Sequence, residues 1–427
     1  MRKPFAPRAA SIGTAILCTV LALSGCGGKA ISSATSASRA ESAPPKASEA
    51  SRSEDSTSET SYPTPRGALP VIIVPGIAGS ELALAGSGPG ATAELAWPPF
   101  DASRDNSDEI KDFPALLSLV GKAVRRLDAL EMGSGERVSA VIDAGANALD
   151  AYAPLERTLM KARGRENVYF FAYDWRLDNG ESASRLGAYV EKVKRERGVA
   201  KVDLVAHSMG GLIVSAYLAK PGAAESLHRI VIAGSPLEGS GSAYSSLAGT
   251  SVSGGESTNP VLALALPDSL ITLATREGTS AQEIASGLEK TMVILMRGYP
   301  SVYELLTSRD SRRLAEIGLP DSVSAAEAIA KAISFRTRVG SRLREIYGGA
   351  GGVSITAMVG TGMKTLEAAG GAGSDEPRYL DGDGLVTPRS ATSGGILRSR
   401  AKSFATSHLG LVQDQACLDF IARTLAR

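Results

Sequence analysis

Val202-Asp203-Leu204-Val205-Ala206-His207-Ser208-Met209-Gly210-Gly211-Leu212-Ile213 decides how this chain folds. Val202 to Ala206 is an apolar run of strand length, and Leu212, Ile213, Ala216 and Tyr217 then recur at helical spacing. Between the two periods Ala206, Gly210 and Gly211 put small residues on either side of Ser208. Small residues there let a strand and the following helix approach closely. The strained turn between them lifts a serine hydroxyl above the sheet edge. The pattern is G-x-S-x-G with Ala206 in the first position. The helix amino terminus that follows offers free N–H groups to developing negative charge. Ser208 is therefore the candidate nucleophile.

Working outward, further short apolar runs stand at Leu69–Val74, Val168–Tyr173, Arg229–Ala233 and Val353–Val359. Leu186, Tyr189, Val190 and Val193 make a helical face between the second and third runs, and Cys417, Phe420, Ile421 and Leu425 make a closing helix. Strands alternating with helices predict an α/β fold, with a parallel sheet covered on both faces. Two long stretches interrupt the rhythm, about residues 82–165 and 237–350. The second reads as largely helical, most clearly over Val323 to Ile346. Segments of that size are not loops. Ligands of an open parallel sheet bind beyond the carboxyl ends of its strands, so both insertions are expected to form a cap over the active site.

A serine nucleophile needs a base, and the chain has 3 His. His207 adjoins Ser208, so its side chain should point away from the hydroxyl and hold the turn. His228 precedes a strand and should lie at the opposite, amino edge. His408, in Thr406-Ser407-His408-Leu409-Gly410, sits in a loop before the last helix and is the candidate base. The acid should fall between Ser and His in chain order. Asp381-Gly382-Asp383-Gly384-Leu385-Val386 offers a carboxylate beside glycine-rich backbone, with Asp383 the choice and Asp381 the reserve. A calcium-loop reading fails, because Thr392 stands where that loop needs Glu. The oxyanion hole needs two backbone donors. Met209 should supply one, and Ile77, in Pro75-Gly76-Ile77-Ala78-Gly79-Ser80, the other. This chemistry needs no metal and no organic cofactor.

Composition narrows the alternatives. With 46 Lys+Arg against 45 Asp+Glu over 427 residues, the net charge of +1 gives no general pull towards nucleic acid. Three Cys cannot form a disulfide scaffold or a four-Cys zinc site. Arg2, Lys3 and Arg8 precede an apolar run from Ala9 to Leu23, which suits a signal h-region better than a membrane span. From Ser32 to Ser61 there is no Leu, Ile, Val, Met or aromatic residue. Such a stretch cannot bury enough apolar surface to offset its ordering entropy. A flexible tether of this length spans on the order of 35 Å. Cys417 lies in an apolar stretch and reads as a core residue.

Two resemblances extend these readings. Leu23-Ser24-Gly25-Cys26 resembles the lipobox of bacterial lipoproteins, which implies a signal peptide over 1–25 and lipidation of Cys26. Residues 26–66 then form the tether and 67–427 the folded domain. The protein is expected outside the cytoplasm, lipid-anchored to a bacterial membrane, in the outer membrane and periplasm or at the cell surface. The second resemblance is to the lecithin:cholesterol acyltransferase family of α/β-hydrolases. Val71 to Ser80, Tyr173-Asp174-Trp175-Arg176, the turn at Ser208, Tyr299 to Leu306, Gly360-Thr361-Gly362, Gly382 to Val386 and His408 match its motifs in order.

That resemblance implies an α/β-hydrolase fold with a Ser208–Asp383–His408 triad and Ile77 as an oxyanion donor. The expected activity is ester hydrolysis or O-acyl transfer on lipid acyl esters, phospholipid or acylglycerol. The competing readings are a carboxylesterase on small or cell-wall esters and a non-catalytic surface-binding lipoprotein. The region around Ala96-Trp97-Pro98-Pro99 helps hold membrane and acyl chain in the family, so Trp97 becomes a candidate lipid contact. Asp174 and Arg176 are expected to form a structural ion pair bridging core and cap.

Overall fold

The computed structural model describes residues 68–84, 94–97, 151–248, 293, 296–317, 323–347, 352–368 and 377–426. In chain order the elements that carry the site are β1 (Val71–Val74), β2 (Leu82–Leu84), β3 (Glu94–Trp97), α1 (Ala153–Arg163), β4 (Val168–Phe170), α2 (Asn179–Arg197), β5 (Val202–His207), α3 (Gly210–Leu218) and β6 (Leu227–Ala233). Then come α4 (Gly241–Ala248), α5 (Pro300–Glu304), α6 (Ser308–Ile317), α7 (Val323–Glu345), β7 (Ser354–Thr361), β8 (Met363–Ala368), β9 (Arg378–Gly382), α8 (Pro388–Ala391), β10 (Ala401–Ala405) and α9 (Gln415–Ala426).

Six strands form one sheet in the order β10-β7-β6-β5-β1-β4. Every pairing in it is parallel. The sheet, flanked by helices, is that of an α/β-hydrolase. β1 lies between β5 and β4, and its four residues Val-Ile-Ile-Val are fully buried. Strands covered on both faces read as unbroken apolar runs, which is why β1, β5 and β6 are legible. Full burial of a Val or Ile side chain contributes roughly 1.5–3 kcal/mol each. The sixth strand, β10, has no such run. It is an edge strand whose Lys402 and Ser403 are exposed.

α2 opens on Asp178, whose carboxylate accepts from Gly180 N and Glu181 N, and closes on left-handed Gly198. It buries Leu186, Val190 and Val193, three residues of the apolar face read from spacing. α9 closes the domain, burying Cys417, Leu418, Ile421, Ala422 and Leu425. Burial pushes the Cys417 thiol up to about 12, which fits a core residue.

The amino edge of the sheet is tied by Asp203 of β5. It takes Arg163 Nη2 at 2.9 Å, Arg229 N at 2.9 Å and His228 Nδ1 at 3.1 Å. His228 thus lies at the edge away from Ser208.

The stretch from 237 to 350 is largely helical where it is described. α7 packs on α5, α6 and α3. Arg336 of α7 donates to Leu237 O and Glu304 O, and Tyr347 OH bonds Ser215 Oγ of α3 at 2.8 Å. The first stretch contributes the β2–β3 hairpin and the chain from 151 to α1. The remainder of both insertions lies outside the described residues, as do the expected signal peptide, Cys26 and the tether. No described helix is long and apolar enough to cross a membrane.

Candidate active site

β5 ends at His207 and α3 begins at Gly210, so Ser208 sits in the turn between them. Its φ is +54°, a left-handed backbone held at a non-glycine residue. Such a conformation costs about 1–3 kcal/mol and persists only where the surroundings enforce it. Ser208 N–H donates to Ala233 O of β6 at 3.0 Å, which fastens the turn to the sheet. A Cβ at Gly210 would lie 2.3 Å from Val74 O, so the helix seats only because that side chain is missing. A Cβ at Gly76 would lie 2.8 Å from Ser208 Cβ and 3.3 Å from its Oγ. The loop after β1 is therefore pressed against the serine.

His408 and Asp383 meet beside this turn. His408 Nδ1 lies 2.9 Å from Asp383 Oδ2, and His408 N–H donates to Asp383 O at 2.9 Å. The other carboxylate oxygen accepts from Leu385 N at 2.9 Å and Val386 N at 2.7 Å. Both residues are buried. A carboxylate accepts and does not donate, so the hydrogen of this bond is on His408 Nδ1 and Nε2 is the ring nitrogen left to face the serine turn. The reserve acid, Asp381, is elsewhere. It is exposed and accepts from Gly362 N at 2.7 Å in the β8–β9 hairpin.

The loop from Pro75 to Ser80 is held by aromatic side chains. Tyr173 OH donates to Pro75 O at 2.9 Å, Trp97 Nε1 to Ala78 O at 2.9 Å, and Trp175 Nε1 to Ser80 O at 3.2 Å. Gly76 N–H donates to Tyr152 OH at 2.8 Å. Among the described residues, the N–H groups of Ile77 and Met209 have no partner within the fold. Those are the two donors expected for an oxyanion.

Y-D-W-R thereby acquires a physical account. Its two aromatic residues clamp the loop after β1. Asp174 and Arg176 form a buried pair, with Arg176 Nη2 at 2.7 Å from Oδ2 and Nε at 2.9 Å from Oδ1. The carbonyl of Arg176 takes Ser301 N of α5 at 3.5 Å.

Trp97 requires a correction. It is 4% exposed, its indole N–H is engaged by Ala78 O, and its ring meets Trp175 edge-on at 5.4 Å. A ring already covered by protein has no exposed apolar face to offer a bilayer, so Trp97 serves here as a support of the loop after β1.

Sequence reasoning missed Tyr152. Its hydroxyl lies 2.8 Å from His207 Nδ1, and His207 Nε2 lies 3.0 Å from His408 O. Burial first, and then the neighbouring His408, push the His207 pKa down to about 3, so its ring is neutral. Among the described residues there is no group of three or more side chains able to hold a metal ion.

Residues 159–263 match the model of the lecithin:cholesterol acyltransferase family. The chain is similar to that family of α/β-hydrolases. The matched stretch contains Tyr173–Arg176 and the turn at Ser208, while the loop after β1, Asp383 and His408 lie beyond it. No curated protein matches the chain. Similar solved structures include the mature lipase BlEst2 of Bacillus licheniformis, at 13% identity over 85% of this chain and 95% of that one, with a TM-score of 0.34. A structure of the Tle4–Tli4 complex is similar at 17% identity, over 84% of this chain and 98% of that one, with a TM-score of 0.41. The lin2722 gene product of Listeria innocua is similar at 11% identity, over 83% and 92%, with a TM-score of 0.27.

Proposed function

We propose that this protein is a serine-dependent ester hydrolase or O-acyltransferase acting on lipid acyl esters. The observation that carries the reading is the buried Asp383–His408 pair beside a left-handed Ser208 at the carboxyl edge of a parallel sheet. Ser208 Oγ attacks the ester carbonyl while His408 Nε2 takes its proton. Asp383 holds the imidazole and stabilises the imidazolium that forms. Negative charge develops on the carbonyl oxygen, and the N–H groups of Ile77 and Met209 receive it. Donors aimed at such a charge in a site closed to water lower the barrier by about 3–4 kcal/mol each. His408 then protonates the leaving alcohol. The acyl group remains on Ser208 until water or a lipid hydroxyl takes it.

The match to the lecithin:cholesterol acyltransferase family supports lipid acyl esters as the substrate class. Cys26 and the tether that follows it support a lipid-anchored protein whose folded part stands off its membrane, outside the cytoplasm.

The test is acyl release and transfer on phosphatidylcholine vesicles with a sterol or long-chain alcohol as acceptor. The full chain is compared with Ser208→Ala. Free fatty acid from the parent protein alone identifies a hydrolase, and acylated acceptor identifies a transferase. Turnover of short esters with none of the vesicle lipid moves the substrate to small esters. Equal turnover by Ser208→Ala overturns the serine mechanism.

A further inference from the structure

We propose that Tyr152 is a positioning residue of this site, its hydroxyl tying the backbone of the oxyanion loop to the loop that carries His408 by way of the His207 ring. The inference rests on the serine-hydrolase reading above.

Three bonds make the chain: Gly76 N to Tyr152 OH at 2.8 Å, Tyr152 OH to His207 Nδ1 at 2.8 Å, and His207 Nε2 to His408 O at 3.0 Å. Each direction is forced. A backbone carbonyl only accepts, so His207 Nε2 carries the hydrogen and donates to His408 O. The ring is neutral, so Nδ1 holds a lone pair and accepts. Tyr152 has one hydroxyl hydrogen, which goes to Nδ1. Its oxygen is then left to accept the N–H of Gly76. No member can be reversed without leaving a buried polar group unpaired, which low-dielectric surroundings penalise.

The ends of the chain are the two places where the reaction needs accuracy. Gly76 precedes Ile77, and the carbonyl of His408 belongs to the base itself. Tyr152 is 3% exposed and its ring packs edge-on against Phe170 at 5.7 Å and His207 at 5.7 Å. Its carbonyl accepts Glu156 N at 2.9 Å, at the start of α1. The hydroxyl therefore has a fixed place, and it touches the loop after β1 and the end of β5, 76 and 55 positions away from it in the chain. Displacements well under 1 Å at reacting groups are enough to slow an enzyme severalfold.

Tyr152→Phe keeps the ring and removes the hydroxyl. His207→Asn breaks the same chain one link further on. The assay is hydrolysis of p-nitrophenyl butyrate by the full chain, together with the rate at which a fluorophosphonate modifies Ser208. Both are run well below each variant's melting temperature. The expected result is a kcat about tenfold lower for either variant, with KM within twofold of the parent, and an equally slowed phosphonylation. Because the residues act as one unit, the double variant is expected within about twofold of the slower single variant.

A Tyr152→Phe kcat within twofold of the parent overturns the inference. So does a fall in kcat/KM carried by KM, or a double variant about a hundredfold slower, which is what independent effects would give. Ser208→Ala separates the two levels. If it retains turnover, the serine reading itself fails. If it is inactive while Tyr152→Phe is unimpaired, only the positioning inference falls.

Discussion

His408 and Asp383 are joined twice: the imidazole Nδ1 stands 2.9 Å from Oδ2, and the backbone N–H of His408 donates to the backbone carbonyl of Asp383 at 2.9 Å. The side-chain contact orients the imidazole, and the backbone contact keeps the two loops from sliding apart. Leu385 N and Val386 N occupy the remaining carboxylate oxygen. The carboxylate therefore has little freedom to turn.

Asp383→Asn should leave the backbone tie intact and present an amide to the ring, which favours the wrong tautomer. A fall in kcat of about 10³- to 10⁴-fold is expected on an ester substrate, as for the loss of such a carboxylate elsewhere. Asp381→Asn, altered in strand β9 and exposed, should stay within about threefold. Equal effects from the two substitutions would exclude Asp383 as the partner of His408.

Ser208 supports a trade between stability and activity. Its φ of +54° is unfavourable for any residue with a Cβ. Ser208→Gly should therefore be more stable than Ser208→Ala by about 1 kcal/mol in urea unfolding, both being inactive. Indistinguishable unfolding midpoints would show that the turn stores no strain.

Trp97→Phe retains an aromatic ring against Trp175 but removes the donor to Ala78 O. A buried acceptor left alone costs about 1–3 kcal/mol of stability. The oxyanion loop loses one of its supports, so kcat should fall while co-sedimentation with phospholipid vesicles is unchanged. Reduced vesicle binding with unaltered stability would restore Trp97 as a membrane contact.

Glu304 makes stability depend on pH. It is buried on α5 and its Oε2 accepts Asn179 N at 2.8 Å. Burial first, and then the charge of Asp178, raise its pKa to about 9, against the weaker opposing pull of Asn179 N–H. Arg336, whose guanidinium reaches Glu304 O, is the nearby cation. The unfolded chain releases this proton near pH 4.3, whereas the folded chain keeps it to about 9. Stability should therefore fall as pH rises between those values and level off above them. Glu304→Gln cannot ionise, so its advantage over the parent should grow by about 2–4 kcal/mol between pH 5 and pH 8 in urea unfolding. A difference independent of pH would mean that the carboxyl is ionised in the folded protein.

Much of this protein was legible because its signals are local. The buried strands β1, β5 and β6 are apolar on both faces. The turn at Ser208 needs its small residues within five positions, and only three histidines compete for one task. β10 was illegible because it is an edge strand in which Lys402 and Ser403 are both exposed, so no apolar run marks it. The preference for Asp383 over Asp381 came from residues and resemblance together, but the two lie two positions apart in one glycine-rich stretch. Only the packing of that stretch directs one carboxylate to His408 and the other to Gly362 N.

Sequence alone determined the buried strands, the helices beside them and the side-chain types of the candidate site, since these follow from periodicity, turn chemistry and elimination. Tertiary structure alone decided that Trp97 faces inward and that Tyr152 bridges Gly76 and His207 across 76 and 55 positions. Neither residue has a neighbour in sequence that announces its partner. A hydrogen bond between distant segments exists only once the sheet has brought them to within 3 Å, and no local pattern encodes that meeting.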